Sequence, residues 1–134
     1  MTFYQRISPL TPPQDFGVDA QGRAVLSFDA VLTKRVSDTA LEEVYGLVSG
    51  FLPSGQVIVT SKASIPDSVT VLTLRESTGL GPIFDHNSTL AWERPGVRLT
   101  ARSPNYRDAR VVARAVYAVL VAVTNRDVAP ATIP

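Results

Sequence analysis

The chain contains no cysteine, which excludes disulfide scaffolds, zinc ribbons and thiol nucleophiles. Its one histidine is His86, so no mechanism that needs two imidazoles can be assembled within a single chain. An excess of one charge is also missing. Thirteen Lys and Arg face 12 Asp and Glu, a formal net charge of +1, which gives no general attraction to nucleic acid. The longest apolar run, residues 115–123, falls far short of the roughly 20 residues a bilayer span needs. The opening MTFYQRISPL lacks the apolar stretch of a secretory signal. These absences predict a soluble, intracellular chain with no membrane partner and little room for catalysis. What is present is ordinary globular composition: 134 residues, 45% hydrophobic and 19% charged. That suits one domain with a sizeable core and does not suit a disordered tail.

Along the chain, FYQRI (3–7) reads as a short strand. Pro9, Pro12 and Pro13 then interrupt both ladder and helix, and residues 15–23, with Gly17, Gly22 and the turn-like DAQG, read as a turn region. Residues 24–35 alternate with period two. Ala24, Leu26, Phe28, Ala30 and Leu32 share one face, and Ser27, Asp29 and Thr33 the other. A helix is expected from about residue 38. Thr39 and Glu42 have capping-box spacing, and Asp38 suits the dipole. Leu41, Val44, Tyr45, Val48 and Leu52 form its apolar stripe. Gly46 and Gly50 within that helix either weaken it, by about 1 kcal/mol each relative to Ala if exposed, or let another segment approach closely. Pro53-Ser54-Gly55 ends it.

Strands are expected at 56–62, 68–76 and 96–102. Residues 77–94 between the last two show no clear period and read as a long loop, of the kind that is functional or itself partly paired. The second helix, about 106–124, presents Ala109, Val112, Ala113, Val116 and Leu120 to the core, with Arg107, Arg110 and Arg114 on the opposite surface. Its upper half is apolar almost all round, which calls for cover from further structure or a second subunit. The tail VAPATIP should be extended. Together these elements predict a single α+β domain over residues 1–134: a mainly antiparallel sheet of about four to six strands with two helices on one face. It divides into a two-strand segment (1–36), a helix–strand–strand–loop–strand–helix core (37–126) and an extended tail (127–134).

Chemistry-bearing groups are few. Asp85-His86 could move a proton or bind a metal, but adjacent residues rarely both serve one metal and no second histidine exists. Glu42 and Glu43 could form a carboxylate pair, although acids are favoured in a first helical turn for capping alone. Residues 77–81, STGLG, lack the lysine of a phosphate-binding loop, and no serine lies in a G-x-S-x-G context. No catalytic residue, metal ligand or cofactor is expected. Arg98, Arg102, Arg107, Arg110 and Arg114 admit three readings: a solvated face, a subunit interface or contact with a nucleic-acid backbone. The strands at 56–62, 68–76 and 96–102 carry no aromatics, so they do not suit base stacking.

The stretch LAWERPGVRLTARSPNYRDARVVARAVYAVL resembles the minor capsid and tail terminator (head–tail joining) proteins of long-tailed bacteriophages. That family shows a strand of the form PGVQVRVR, a short polar turn with a tyrosine, and a helix with an alanine-rich stripe. Here these are residues 95–102, 103–106 and 109–120. The upstream order of helix, proline, strand, proline, strand also fits, so the resemblance covers about residues 38–124. Residues 3–32 look like the segment that members carry after the second helix, which implies a circularly permuted chain order.

The resemblance implies a structural virion protein and not an enzyme. It would form a homo-oligomeric ring, usually a hexamer, at the head-proximal end of the tail, with a tail tube protein on one side and a head–tail connector protein on the other. It carries over no catalytic residue, no cofactor and no specific nucleic acid. Phe84, Leu90 and Trp92 in the 77–94 segment, with Arg107, Arg110 and Arg114, are the candidate assembly residues. Two alternatives of other classes remain: a basic nucleic-acid-binding module using the arginine face of the second helix, and a small hydrolase or sugar-binding enzyme centred on Asp85-His86.

Overall fold

A computed structural model describes residues 1–53, 55–59, 68–84, 86–87 and 90–133. In chain order the elements are β1 (Thr2–Pro9), β2 (Gln14–Val18), β3 (Ala24–Lys34), α1 (Ala40–Val48), a 3-10 turn (Ser49–Phe51), β4 (Val57–Val59), β5 (Val71–Phe84), β6 (Leu90–Ser103), α2 (Tyr106–Val121) and β7 (Thr124–Val128). Among the described residues the strands form one sheet in the order β4-β5-β6-β3-β1-β7, with β2 also on β3. Only β4 and β5 pair in parallel; the other pairings are antiparallel. The chain is α+β, with both helices on one face of the sheet.

The alternation in β3 and β6 decides which face that is. Leu26, Phe28, Ala30 and Leu32 of β3 and Val97, Leu99 and Ala101 of β6 join Val44 and Val48 of α1 and Ala109, Ala113, Val116 and Leu120 of α2 in one buried cluster. The Phe28 and Tyr117 rings meet edge to face, centroids 5.6 Å apart. The α1 stripe packs as its spacing requires: Val44 and Val48 are fully buried, and Leu41, Tyr45 and Leu52 lie half-buried against the core. The close approach expected at the helix glycines occurs at Gly46 alone. A Cβ there would lie 3.1 Å from the Ala129 carbonyl, and the Ala131 N–H donates to the Glu42 carbonyl at 3.0 Å. The segment after β7 therefore lies along α1.

Four expectations need correction. Residues 14–18 are a strand, β2, and not only a turn region. β1 and β2 border β3 end to end, β1 against Ala30–Lys34 and β2 against Ala24–Ser27, and the prolines merely separate them. The DAQG turn does form, with Gly22 at φ +79° and Asp19 accepting from the Gln21 and Arg23 N–H groups, each at 3.0 Å. The second helix stops at Val121, and Thr124–Val128 form an edge strand on β1. Residues 77–94 are not an open loop but paired: among the described residues β5 runs on to Phe84 and β6 starts at Leu90, the two forming a hairpin. Thr39 makes no side-chain cap; its hydroxyl donates to Glu43 at 3.0 Å, so the Thr39–Glu42 capping box is absent. Of the strand expected at 56–62, Val57–Val59 is formed, and residues 60–62 lie outside the described residues.

Candidate functional site

Two regions of the surface carry unusual chemistry: the far half of the β5–β6 hairpin, and the sheet face turned away from the helices. The hairpin begins within the body of the sheet, where Val71–Ser77 face Gly96–Arg102, and continues through Leu80 opposite Arg94, Ile83 opposite Trp92 and Phe84 opposite Leu90. The register slips between Ser77 and Leu80, between Leu80 and Ile83, and between Ile83 and Phe84. Each slip resets the period-two alternation, which is why no period can be read from residues 77–94.

Two glycines let the hairpin cross from body to arm. A Cβ on Gly79 would collide with the Arg94 carbonyl and sit 2.6 Å from the Gly96 nitrogen, and one on Gly96 would lie 2.6 Å from the Thr78 carbonyl. Beyond this crossing Leu80, Ile83 and Phe84 are exposed. β4 pairs only with Leu72–Leu74 of β5, so among the described residues the outer edge of β5 from Arg75 onward has no strand beside it. The arm is an open edge with apolar side chains in solvent, a combination folded monomers usually blunt.

Trp92 has a different place from Phe84. It is half-buried within the arm, opposite Ile83, its ring centroid 6.1 Å from that of Phe3 and 4.4 Å from the Arg35 guanidinium that lies over it. Contacts within its own chain account for it. His86 is exposed in the turn between β5 and β6, and Asp85 lies outside the described residues. Among the described residues no group of acids and histidine is arranged to hold a metal.

Arg107, Arg110 and Arg114 are exposed on α2, whose N-terminus is capped by the Asn105 side chain accepting from the Arg107 N–H at 2.9 Å. Arg98 and Arg102 do not join them. They alternate with Val97, Leu99 and Ala101, which face the helices, so the five arginines divide between opposite sides of the molecule. On the open sheet face Arg98 forms a forked pair with Asp29 of β3, at 2.8 and 3.2 Å, which raises the Arg98 pKa further. Arg102 donates to the Thr73 hydroxyl at 3.1 Å and lies 3.9 Å from Asp19. Burial and the neighbouring Arg23 pull the Arg102 pKa down, against the opposing pull of Asp19. Asp19 is itself held below the usual carboxylate range, first by the Arg23 backbone N–H, and pairs with the Arg23 guanidinium at 2.8 Å.

Glu43, expected to serve the first turn of α1 as a capping acid, is in the core. Glu43 and Lys34 are both fully buried. The Lys34 ammonium donates to Glu93 at 2.7 Å, to the Ser37 hydroxyl at 2.7 Å and to the Ser37 carbonyl at 3.0 Å, and lies 3.8 Å from Glu43. This cluster ties β3 and α1 to the base of the arm. The alternation of β3 breaks at its end, where Val31, Leu32, Thr33 and Lys34 are all buried, and no sequence signal marks that break.

No protein-family model matches the chain, and no curated protein or solved structure compared with it matches either.

Proposed function

We propose that the chain is a structural virion subunit, a phage tail terminator that closes into a homo-oligomeric ring, a hexamer by family resemblance, at the head-proximal end of the tail. The observation that supports this reading is the hairpin arm. An edge with no neighbouring strand among the described residues, bearing exposed Leu80, Ile83 and Phe84, suits a contact within an assembly. A heterologous contact, arm of one subunit on the body of the next, generates a closed ring when the rotation per subunit closes. Such a ring would present one surface to the tail tube protein and another to the connector, and so stop further addition.

The exposed Arg107, Arg110 and Arg114 supply forked carboxylate contacts for a neighbouring subunit. The permuted chain order is part of the same proposal. β1, at the start of the chain, pairs with β7, which follows α2, Thr2 lying opposite Val128. A segment belonging after the second helix would occupy that place. Pro134 lies outside the described residues.

The test is the assembly state, by sedimentation velocity and negative-stain imaging of the protein alone and mixed with purified tails. The wild type should form rings, alone or on tails. The double variant Leu80→Ser/Phe84→Ser should remain folded and fail to assemble. A wild type that stays monomeric in both settings removes the reading, and steeply salt-dependent DNA binding lost on charge reversal at Arg110 and Arg114 would favour the basic-module alternative.

A further inference from the structure

On the open face of the sheet a groove of about 340 Å³ runs across β3, β5 and β6. Its charged walls are Arg75, Arg98 and Arg102 against the single carboxylate of Asp29. Arg75 and Arg98 are direct cross-strand partners, a like-charge opposition that costs stability in an empty sheet. Arg98 spends its Nε and one terminal nitrogen on Asp29, leaving the other terminal nitrogen. Arg75 forms no hydrogen bond or ion pair among the described residues.

A second hollow shares Arg75 and Arg98 as walls and adds Ser77, Thr78 and Glu76. The Ser77 Oγ is the one buried side-chain oxygen without a partner among the described residues. An unsatisfied buried hydroxyl is destabilising. Here it lies two cross-strand pairs along the ladder from the Arg75–Arg98 opposition, since Ser77 faces Gly96. The Arg75 guanidinium and the remaining edge of Arg98 therefore stand at the wall common to both hollows, and Ser77 lines the second beside them.

We propose that this wall of Arg75, Arg98 and Ser77 is a phosphate-binding site. Two guanidinium groups and a hydroxyl-bearing residue lining one hollow suit the several acceptor oxygens of a tetrahedral oxyanion. A carboxylate is the poorer fit, because Asp29 already occupies the fork of Arg98. A bound phosphate would bridge the opposed arginines and give the Ser77 hydroxyl an acceptor. The site stands apart from the arm and from α2, so it does not depend on the ring reading. The phosphate could belong to a small phosphoester or to a nucleic-acid backbone, and the chemistry at the wall is the same.

The test is calorimetric titration of the full chain with inorganic phosphate at constant ionic strength, beside fluorescence anisotropy of a labelled oligothymidylate. Saturable phosphate binding is expected. Arg75→Gln should weaken it about tenfold or more, Arg126→Gln on the far edge strand β7 should leave it unchanged, and Asp29→Asn should strengthen it several-fold by releasing the Arg98 fork. That gain cannot come from a damaged fold. If the oligonucleotide also binds with the same dependence on Arg75 and is displaced by phosphate, the source is a nucleic-acid backbone; if phosphate alone binds, it is a small phosphoester. Absence of binding by the wild type to either probe, or binding indifferent to Arg75→Gln and Asp29→Asn, overturns the proposal.

Discussion

The Tyr4 hydroxyl donates to the Glu43 carboxylate at 2.8 Å, and neither residue is exposed. The two lie 39 residues apart, one on β1 and one on α1, and the bond completes a buried set in which Glu43 also accepts from Thr39 and lies near Lys34. Burial first, and Glu43 beside it second, push the Tyr4 pKa well above that of a free phenol.

Removing one member of this set should be far worse than removing an exposed pair. Lys34→Met leaves Glu43 and Glu93 without their cation, and loss of one partner of a buried ion pair costs about 3–5 kcal/mol. Urea unfolding followed by circular dichroism measures it. A loss under about 1 kcal/mol would mean that water reaches the carboxylates.

Tyr4 also predicts an alkaline limit. The unfolded phenol ionises near pH ~10, whereas the folded one resists ionisation, so the native state holds the extra proton. The stability this confers is fully present below pH ~10 and declines as pH rises above it. Tyr4→Phe should remove that decline while lowering stability at neutral pH by about 1–3 kcal/mol, since Glu43 loses a donor.

Asp19 predicts the opposite sign. Its folded pKa is depressed by the turn's N–H groups and by Arg23, so its contribution is present above pH ~4, the ordinary Asp value, and is lost as pH falls through the lower folded value. Asp19→Asn should be less stable than the wild type at pH 7, with the gap closing in acid. A gap that persists unchanged at low pH would show that the carboxylate charge is not what holds the β2–β3 turn.

The glycine crossing should be intolerant of any side chain. Gly79→Ala drives a methyl into the Arg94 carbonyl, so the strands must separate where the arm leaves the body. Overpacking of this kind costs about 1–3 kcal/mol. Amide exchange should accelerate in the arm and at Gly96, and remain slow in β3 and α2.

Trp92, the only tryptophan, makes the arm observable. Its emission should shift when Arg35→Ala removes the guanidinium stacked on the ring, a contact worth about 0.5–1 kcal/mol at an exposed site. It should shift with protein concentration too if neighbouring subunits meet at the arm. Emission independent of concentration across an assembly transition would place the contact elsewhere.

Local patterning was enough for much of the fold. The alternation of 24–32 and 97–101 and the 3.6-residue stripe of α1 are each one-dimensional signals of which face is buried, and each face is buried as its pattern requires. The polar turn at 19–22 and the close approach at Gly46 were legible for the same reason, since backbone demands are written in residue type. The arginines of α2 could be assigned to its outer face by spacing alone.

Tertiary structure decided what depends on partners distant in the chain. β2 and β7 are mostly exposed strands with no apolar alternation, and they exist because β3 and β1 offer them free edges. The arm escaped detection because three register slips erase the period that marks a strand. Nothing in the sequence marked Lys34 and Glu43 for the core; β1, β3, α1 and the start of β6 enclose them, for burial of a charge is set by what surrounds it. Arg75 and Arg98 lie 23 positions apart in sequence, and only the register of β5 on β6 brings them face to face. Amino-acid order determined which faces are apolar and where the chain turns; the pairing of strands, a sum over contacts between distant segments, decided which charges meet.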